Sequence, residues 1–200
     1  MNEKIEKLKQ KKLTQREKRL LSEWEAIDRR IENDKEIKYV VKKYQNDLPV
    51  QYEIIYNIHS ICGVEEKEDG LKHPVFADKF RMKIVISNNY PSAFDPPVFN
   101  FLLETGEGSK KQEIAHPWHP NINYITGRVC LNNKDAGPFA TLAWHINRVA
   151  EYLRYNLYLA ENVKPFPEDL AVAEWVLTQA EPNNWLNFNK KETKTSISIK

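Results

Sequence analysis

Between Val50 and Leu103 the chain carries three strand-like runs with no helical stretch between any two of them. Val50 to Ile61 is rich in Ile, Tyr and Val; Val75 to Ser87 alternates through Phe80, Met82, Ile84 and Ile86; Val98 to Leu103 is shorter. Parallel neighbours need a crossover of about a dozen or more residues, usually a helix, whereas antiparallel neighbours are joined by short turns. The breaks here are polar or proline-rich: Glu65 to Lys72 with Gly70, then Asn88-Asn89-Tyr90-Pro91, then Pro96-Pro97. An antiparallel meander is the arrangement this segment dictates.

Helical patterns flank the meander. Leu13, Leu20, Trp24, Ile27 and Ile31 stack on one face of a helix, and Thr14 with Glu17 offers a capping box at its start. The same spacing resumes at Ile37, Val40, Val41 and Tyr44, so the helix is expected to continue, or to restart after Asn33-Asp34, until Pro49 stops it. After Pro138, Leu142, Ile146, Val149, Leu153 and Leu157 mark a second helix, and Glu168 to Gln179 a third, bounded by Pro167 and Pro182. Between meander and helices, Glu104 to Asn133 is irregular; loops this long are usually functional or disordered, and Trp118 and Tyr124 argue for order. The chain thus reads as an α+β domain over residues 13–189, with a basic flexible N-terminal extension over 1–12 and a basic flexible tail over 190–200.

The formal net charge of +2 is too small to point to nucleic acid, although residues 1–19 carry eight Lys/Arg against three acidic residues. That local excess reads either as solvated termini or as a docking surface for an acidic partner. Two cysteines cannot form a disulfide framework in a chain of 200 residues, which fits a reducing compartment and a cytoplasmic location. No apolar stretch approaches the length of a membrane span, and the charged N-terminus lacks a signal region, so neither membrane nor secretion is expected.

Cys130 is the foremost chemical candidate. It follows Gly127 on a loop, and a thiol there is either packed away or used as a nucleophile able to form thioesters open to amines. Cys62, at the end of an apolar run, reads as packing. His116, His119, Cys130 and His145 lack the paired spacing of zinc sites, so no metal is expected. A cysteine hydrolase, with Cys130 as nucleophile and one of these histidines as base, stays open on the residues alone.

His119-Pro120-Asn121 followed by Gly127-Arg128-Val129-Cys130-Leu131 resembles the active-site signature of ubiquitin-conjugating enzymes. Lys18-Arg19-Leu20 with Glu23 is similar to that family's first-helix pattern, and Tyr90-Pro91 with Pro96-Pro97 resembles its segment between the third and fourth strands. The resemblance covers about residues 13–180. Three departures mark a divergent member, of the kind found in bacterial ubiquitin-like conjugation systems, some of which serve defence against phage. The Tyr-Pro to Pro-Pro interval is longer than usual, the Asn121-to-Cys130 interval is longer by one residue, and Gly137-Pro138-Phe139 with Trp144 stands where a Trp-Ser-Pro element usually follows the cysteine.

The resemblance implies a ubiquitin-conjugating-enzyme-like fold: an N-terminal helix, a four-stranded antiparallel meander, a long active-site loop and C-terminal helices. It implies that Cys130 accepts a ubiquitin-like protein as a thioester from an activating enzyme and passes it to a lysine of a target protein, with or without a ligase and with no cofactor. Asn121 would support the loop and stabilise the oxyanion, His119 would hold the turn, and Glu168 or Asp169 would be an acidic residue helping the incoming lysine. A non-catalytic relative kept as a binding or scaffold module is the alternative within the same fold.

Overall fold

The capping box at Thr14 opens the longest helix. The computed structural model describes residues 3–92, 94–105, 112–131, 140–163 and 167–189. It begins with α1 (Glu3–Lys9) and α2 (Gln15–Ile31). Thr14 Oγ1 accepts the Glu17 N–H at 3.3 Å, and the Glu17 carboxylate accepts the Thr14 N–H at 2.9 Å, so two N–H groups left over at the helix start are satisfied reciprocally. One face of α2 buries Leu20, Leu21, Trp24, Ile27 and Ile31. Ahead of it, where a flexible extension is expected, α1 places Ile5 and Leu8 in the core at 2% and 3% exposure. Two apolar residues among lysines and glutamates are too thin a pattern for periodicity to register.

The helix does not continue through Ile37–Tyr44. Asp34 Oδ1 accepts the N–H groups of both Glu36 and Ile37 at 2.9 Å, a side-chain turn that ends the helical run. The chain then forms β1 (Ile37–Gln45), whose β-branched Ile37, Val40 and Val41 suit a strand as well as their spacing suited a helix. Asn46 and Asp47, both at positive φ, make the tight turn into β2 (Leu48–Tyr56), and β1 pairs with β2 antiparallel.

The expected run Val50–Ile61 splits into β2 and β3 (Ser60–Glu66), and Val75–Ser87 splits into β4 (Lys72–Ala77) and β5 (Phe80–Val85). β3 and β4 pair as a separate hairpin, while β2 pairs with β5 and β5 with β6 (Val98–Phe101). The main sheet is therefore an antiparallel meander of four strands in the order β1-β2-β5-β6, and the polar Glu65–Lys72 break closes the β3–β4 hairpin inserted between β2 and β5 instead of joining strands of the main sheet. Its inner face presents Tyr52, Ile54, Tyr56, Phe80, Met82, Ile84, Phe99 and Phe101, all buried, in the two-residue period of a half-covered sheet. A short pair, β7 (Glu104–Thr105) and β8 (Gln112–Glu113), follows.

Helix α3 (Leu142–Leu153) and α2 pack against one another, and the Tyr56 hydroxyl donates to the Ile146 carbonyl at 3.1 Å to tie α3 to the sheet. α3 stops short of Leu157 because Tyr155 turns into left-handed backbone at a φ of 56°. The third helix begins at Leu170 rather than Glu168: α4 (Leu170–Trp175) runs into a π-helical turn, Val176–Ala180, and a 3-10 turn, Trp185–Asn187. A second buried cluster of Ile61, Tyr155, Ala160, Ala173, Trp175, Val176 and Ala180 joins these to the β3–β4 hairpin. Among the described residues no helix is long and apolar enough to cross a membrane. Gly137-Pro138-Phe139 and the 190–200 tail lie outside the described residues.

Candidate active site

Cys130 stands on a segment stitched to the edge of the sheet. Phe101 N–H donates to the Gly127 carbonyl at 2.8 Å and Val129 N–H to the Phe99 carbonyl at 3.0 Å, extending the sheet beyond β6. On the other side Ile122 bridges Val129, which sets Asn121 opposite Cys130, and the Cys130 N–H donates to the Asn121 carbonyl at 2.8 Å. The turn between them is closed by Asn123, whose Oδ1 accepts from the N–H groups of Ile125 and Thr126 and from the Thr126 hydroxyl. The segment between Asn121 and Cys130 thus folds back as a turn that sets the two candidate residues side by side. Gly127 has a φ of 73°, and a Cβ there would lie 2.3 Å from the Phe101 carbonyl oxygen. Only glycine satisfies both constraints.

Asn121 is buried, and its amide is oriented from a segment distant in sequence. Leu159 N–H donates to Asn121 Oδ1 at 2.9 Å. A backbone N–H can only donate, so this bond identifies the oxygen end of the amide and leaves the Nδ2 donors on the other side. Among the described residues no acceptor takes those donors.

His119, 1% exposed, is locked in one tautomer. Its Nδ1 accepts the Asn121 N–H at 3.1 Å, so Nε2 carries the proton and donates to the Leu157 carbonyl at 3.1 Å. Its ring stacks on Tyr152 at 4.9 Å, and burial pushes its pKa down to about 3. With both nitrogens engaged and the ring held neutral, His119 is a brace for the turn. His116 is also buried, packed edge-on between Phe101 and Tyr124, and burial pushes it down to about 4. Among the described residues no hydrogen bond joins the Cys130 thiol to a histidine. Cys130 itself is half-buried, and its carbonyl accepts the Tyr152 hydroxyl at 3.2 Å. Cys62 is half-buried against the core, where burial raises its thiol pKa.

Asp169 lies beside the active-site turn and is bonded to it. Its Oδ1 caps α4 through the Val172 N–H at 3.2 Å, and its Oδ2 accepts the Tyr124 N–H of the active-site turn at 3.0 Å. Its own N–H donates to the Pro120 carbonyl at 3.0 Å. Each carboxylate oxygen thus accepts one N–H, and the pair fastens α4 to the turn. Its neighbour Glu168 is paired with Arg128 at 2.8 Å.

Glu23 and Leu159 are the contributors whose roles the sequence did not reveal. Glu23, 1% exposed, accepts from Arg19, the Tyr90 hydroxyl at 2.6 Å and the Leu142 N–H at 2.6 Å, and so joins α2, the Tyr90-Pro91 segment and the start of α3. Trp144, on α3, has its N–H taken by the Thr141 cap. Among the described residues no group of three or more His, Cys, Asp or Glu comes together as a metal site.

No protein-family model matches the sequence, and comparison with curated proteins found no match. Solved structures do match. A Plasmodium yoelii protein described as a ubiquitin conjugating enzyme superposes with a TM-score of 0.52 at 21% identity, covering 86% of this chain and 90% of that one. The H. polymorpha ubiquitin conjugating enzyme Pex4p, solved in complex with the soluble domain of Pex22p, superposes with a TM-score of 0.51 at 17% identity, covering 87% and 93% of the two chains. The meander, the flanking helices and this extent of superposition agree: the chain is a divergent protein with the fold of the ubiquitin-conjugating enzymes.

Proposed function

We propose that the chain is a conjugating enzyme for a ubiquitin-like protein, with Cys130 as the residue that carries the modifier. The observation that supports this best is the pairing of Cys130 with Asn121: backbone bonded to backbone, and the Asn121 amide turned by Leu159 so that its oxygen is occupied and its N–H₂ is not. In the first step the Cys130 thiolate attacks the thioester carbonyl that joins the modifier's C-terminus to an activating enzyme. A new C–S bond forms, the old one breaks, and the activating enzyme's thiolate leaves. In the second, a lysine amine of the target attacks the same carbonyl; a C–N bond forms, Cys130 leaves as thiolate, and the amine's proton passes to solvent.

Asn121 Nδ2 would donate to the oxyanion of each tetrahedral intermediate. The carboxyl arrives already activated, so positioning and oxyanion stabilisation supply the rate and no cofactor is required. The partners of this reading are the modifier, its activating enzyme, a target lysine and, where one is used, a ligase. The basic residues Lys11, Lys12, Arg16 and Lys18 would form a surface for the first or last of these proteins, and the reaction belongs in the cytoplasm. The hydrolase alternative needs a base at the thiol, and the engagement and burial of His119 count against it.

Incubation with the cognate activating enzyme, ATP and modifier should give a thiol-sensitive adduct that Cys130→Ala abolishes and Cys130→Ser converts to a slower, thiol-resistant ester. Asn121→Ala should lose more in lysine transfer than in charging. A wild-type protein that forms no adduct with any cognate set would favour the scaffold reading, and rapid hydrolysis of a modifier ester without amine would favour the hydrolase.

A further inference from the structure

The segment that carries the cysteine alternates between core and surface. Gly127, Val129 and Leu131 are buried, whereas Arg128 is exposed and Cys130 half-buried. Arg128 bridges Asn100 of β6 on one side, and Val129 bridges Ile122 on the other. In an extended run of this kind, residues two apart face the same way with Cα atoms about 6–7 Å apart. Arg128 and Cys130 therefore share the outer face, while Val129 between them joins the core.

The Arg128 side chain is held on that face. Its Nε donates to Glu168 Oε1 at 2.8 Å, and the Glu168 side chain is 10% exposed against 68% for Arg128. Glu168 is fixed in turn by its neighbour, since Asp169 bonds Pro120 through its N–H and Tyr124 through its carboxylate. The Arg128 pKa is raised, first by the hydrogen bond to Glu168 and then by the charge of that carboxylate, with a smaller contribution in the same direction from charge on the Cys130 sulfur. Guanidinium and sulfur are thus within electrostatic reach of one another. The other groups nearby are engaged elsewhere: both His119 nitrogens are bonded, and the Tyr152 hydroxyl donates to the Cys130 carbonyl.

Charging and discharge both put negative charge on this sulfur. It attacks as the thiolate, and it leaves with the electron pair of the broken C–S bond. A neighbouring arginine favours that charged form. We propose that Arg128 is the cation that stabilises the Cys130 sulfur in both steps, and that Glu168 is a positioning residue that holds the guanidinium there and offsets part of its charge. The proposal rests on the conjugating reading and adds a charge at the sulfur, where Asn121 serves the oxyanion.

The test uses the full chain and two alkylating probes that need no activating enzyme, neutral iodoacetamide and anionic iodoacetate. The thiolate displaces iodide from each, and labelling at Cys130 is separated from that at Cys62 by peptide mass. At pH 7 Arg128→Ala should slow iodoacetamide labelling about threefold, the scale for a unit charge about 7 Å away near a protein surface once the weaker nucleophilicity of a stabilised thiolate is allowed for. Iodoacetate labelling should slow further, because the cation also draws the anionic probe. Both losses should shrink in about 1 M NaCl, where the screening length is about 3 Å. Arg128→Lys should restore most of the rate. Glu168→Gln can still accept the Arg128 N–H but carries no charge, so it should speed iodoacetamide labelling. The preformed thioester of Arg128→Ala should discharge to free lysine about threefold more slowly, in maximal rate and not in apparent KM.

Unchanged labelling by both probes in Arg128→Ala, or a loss that salt leaves intact, would overturn the proposal. So would Arg128→Ala and Glu168→Gln moving in the same direction, the result expected of a bridge that is merely structural. A raised KM for lysine in Glu168→Gln with labelling unchanged would give the carboxylate to the incoming amine, and also overturns it. If wild-type protein forms no thioester, the conjugating reading fails, while the labelling series still decides whether Arg128 acts on the sulfur.

Discussion

At Gly127 the backbone sits at a φ of 73° and the position of a methyl group would be 2.3 Å from the Phe101 carbonyl oxygen. Left-handed backbone costs a residue with a Cβ about 1–2 kcal/mol and overpacking about 1–3 more, so Gly127→Ala should lower stability by about 2–5 kcal/mol in urea denaturation. It should also depress charging, because the clash lies where Phe101 and Val129 bond across the same seam. His119 supplies a pH signature. Its pKa is lowered on folding from 6.5 to about 3, so below pH 6.5 the unfolded chain takes up a proton that the folded protein refuses. The contribution of His119 is fully present above pH 6.5 and is lost as pH falls toward 3, by up to about 1.4 kcal/mol per pH unit. His116, lowered to about 4, acts in the same direction. Urea midpoints measured from pH 7.5 to 4.5 should fall on the acid side, and His119→Gln should flatten that slope. Cys130, Asn121 and His119 were legible as candidates because they lie close together in sequence around a turn. Leu159, which orients Asn121 from 38 residues away, leaves no local mark.

At the scale of elements, Asp169 shows how the position of a residue can be legible when its task is not. A carboxylate just before a helix reads equally as an acid near the cysteine and as a cap; the bonds to Val172 and Tyr124 show the cap, and two substitutions test the acid. Asp169→Ala should cost about 1–2 kcal/mol, the usual value of a helix cap, and loosen α4 from the active-site turn. Asp169→Asn, nearly as good a cap, should keep most of the stability and most of the lysine transfer. Stability kept with transfer lost would return the carboxylate to a chemical role. The Ile37–Tyr44 segment carries the converse lesson. Its apolar spacing fits a helix face, and its β-branched content fits a strand. The Asp34 turn and the Asn46-Asp47 hairpin settle it as β1, since a strand there completes the ladder with β2.

For the molecule as a whole, the N-terminal residues are the most direct test of how far its core extends. Ile5 and Leu8 are buried, and each fully buried aliphatic side chain contributes about 1.5–3 kcal/mol. Deleting residues 1–12 should therefore lower stability by about 3–6 kcal/mol, read from the urea midpoint. An unchanged midpoint would return these residues to the role of a solvated extension.

What the sequence alone determined is the antiparallel meander and its flanking helices, because alternation, short polar connections and a capping box act locally and admit few other arrangements. It also singled out the His-Pro-Asn turn and Cys130, whose neighbours are near in sequence. The tertiary structure decided what depends on contacts between distant residues. The break of two long runs into sheet and hairpin, the packing of α1, the fastening role of Asp169 and the Leu159 bond to Asn121 are of this kind. So is the buried Glu23 that joins α2 to the start of α3, since a carboxylate shows its task only once the groups that donate to it have been folded around it.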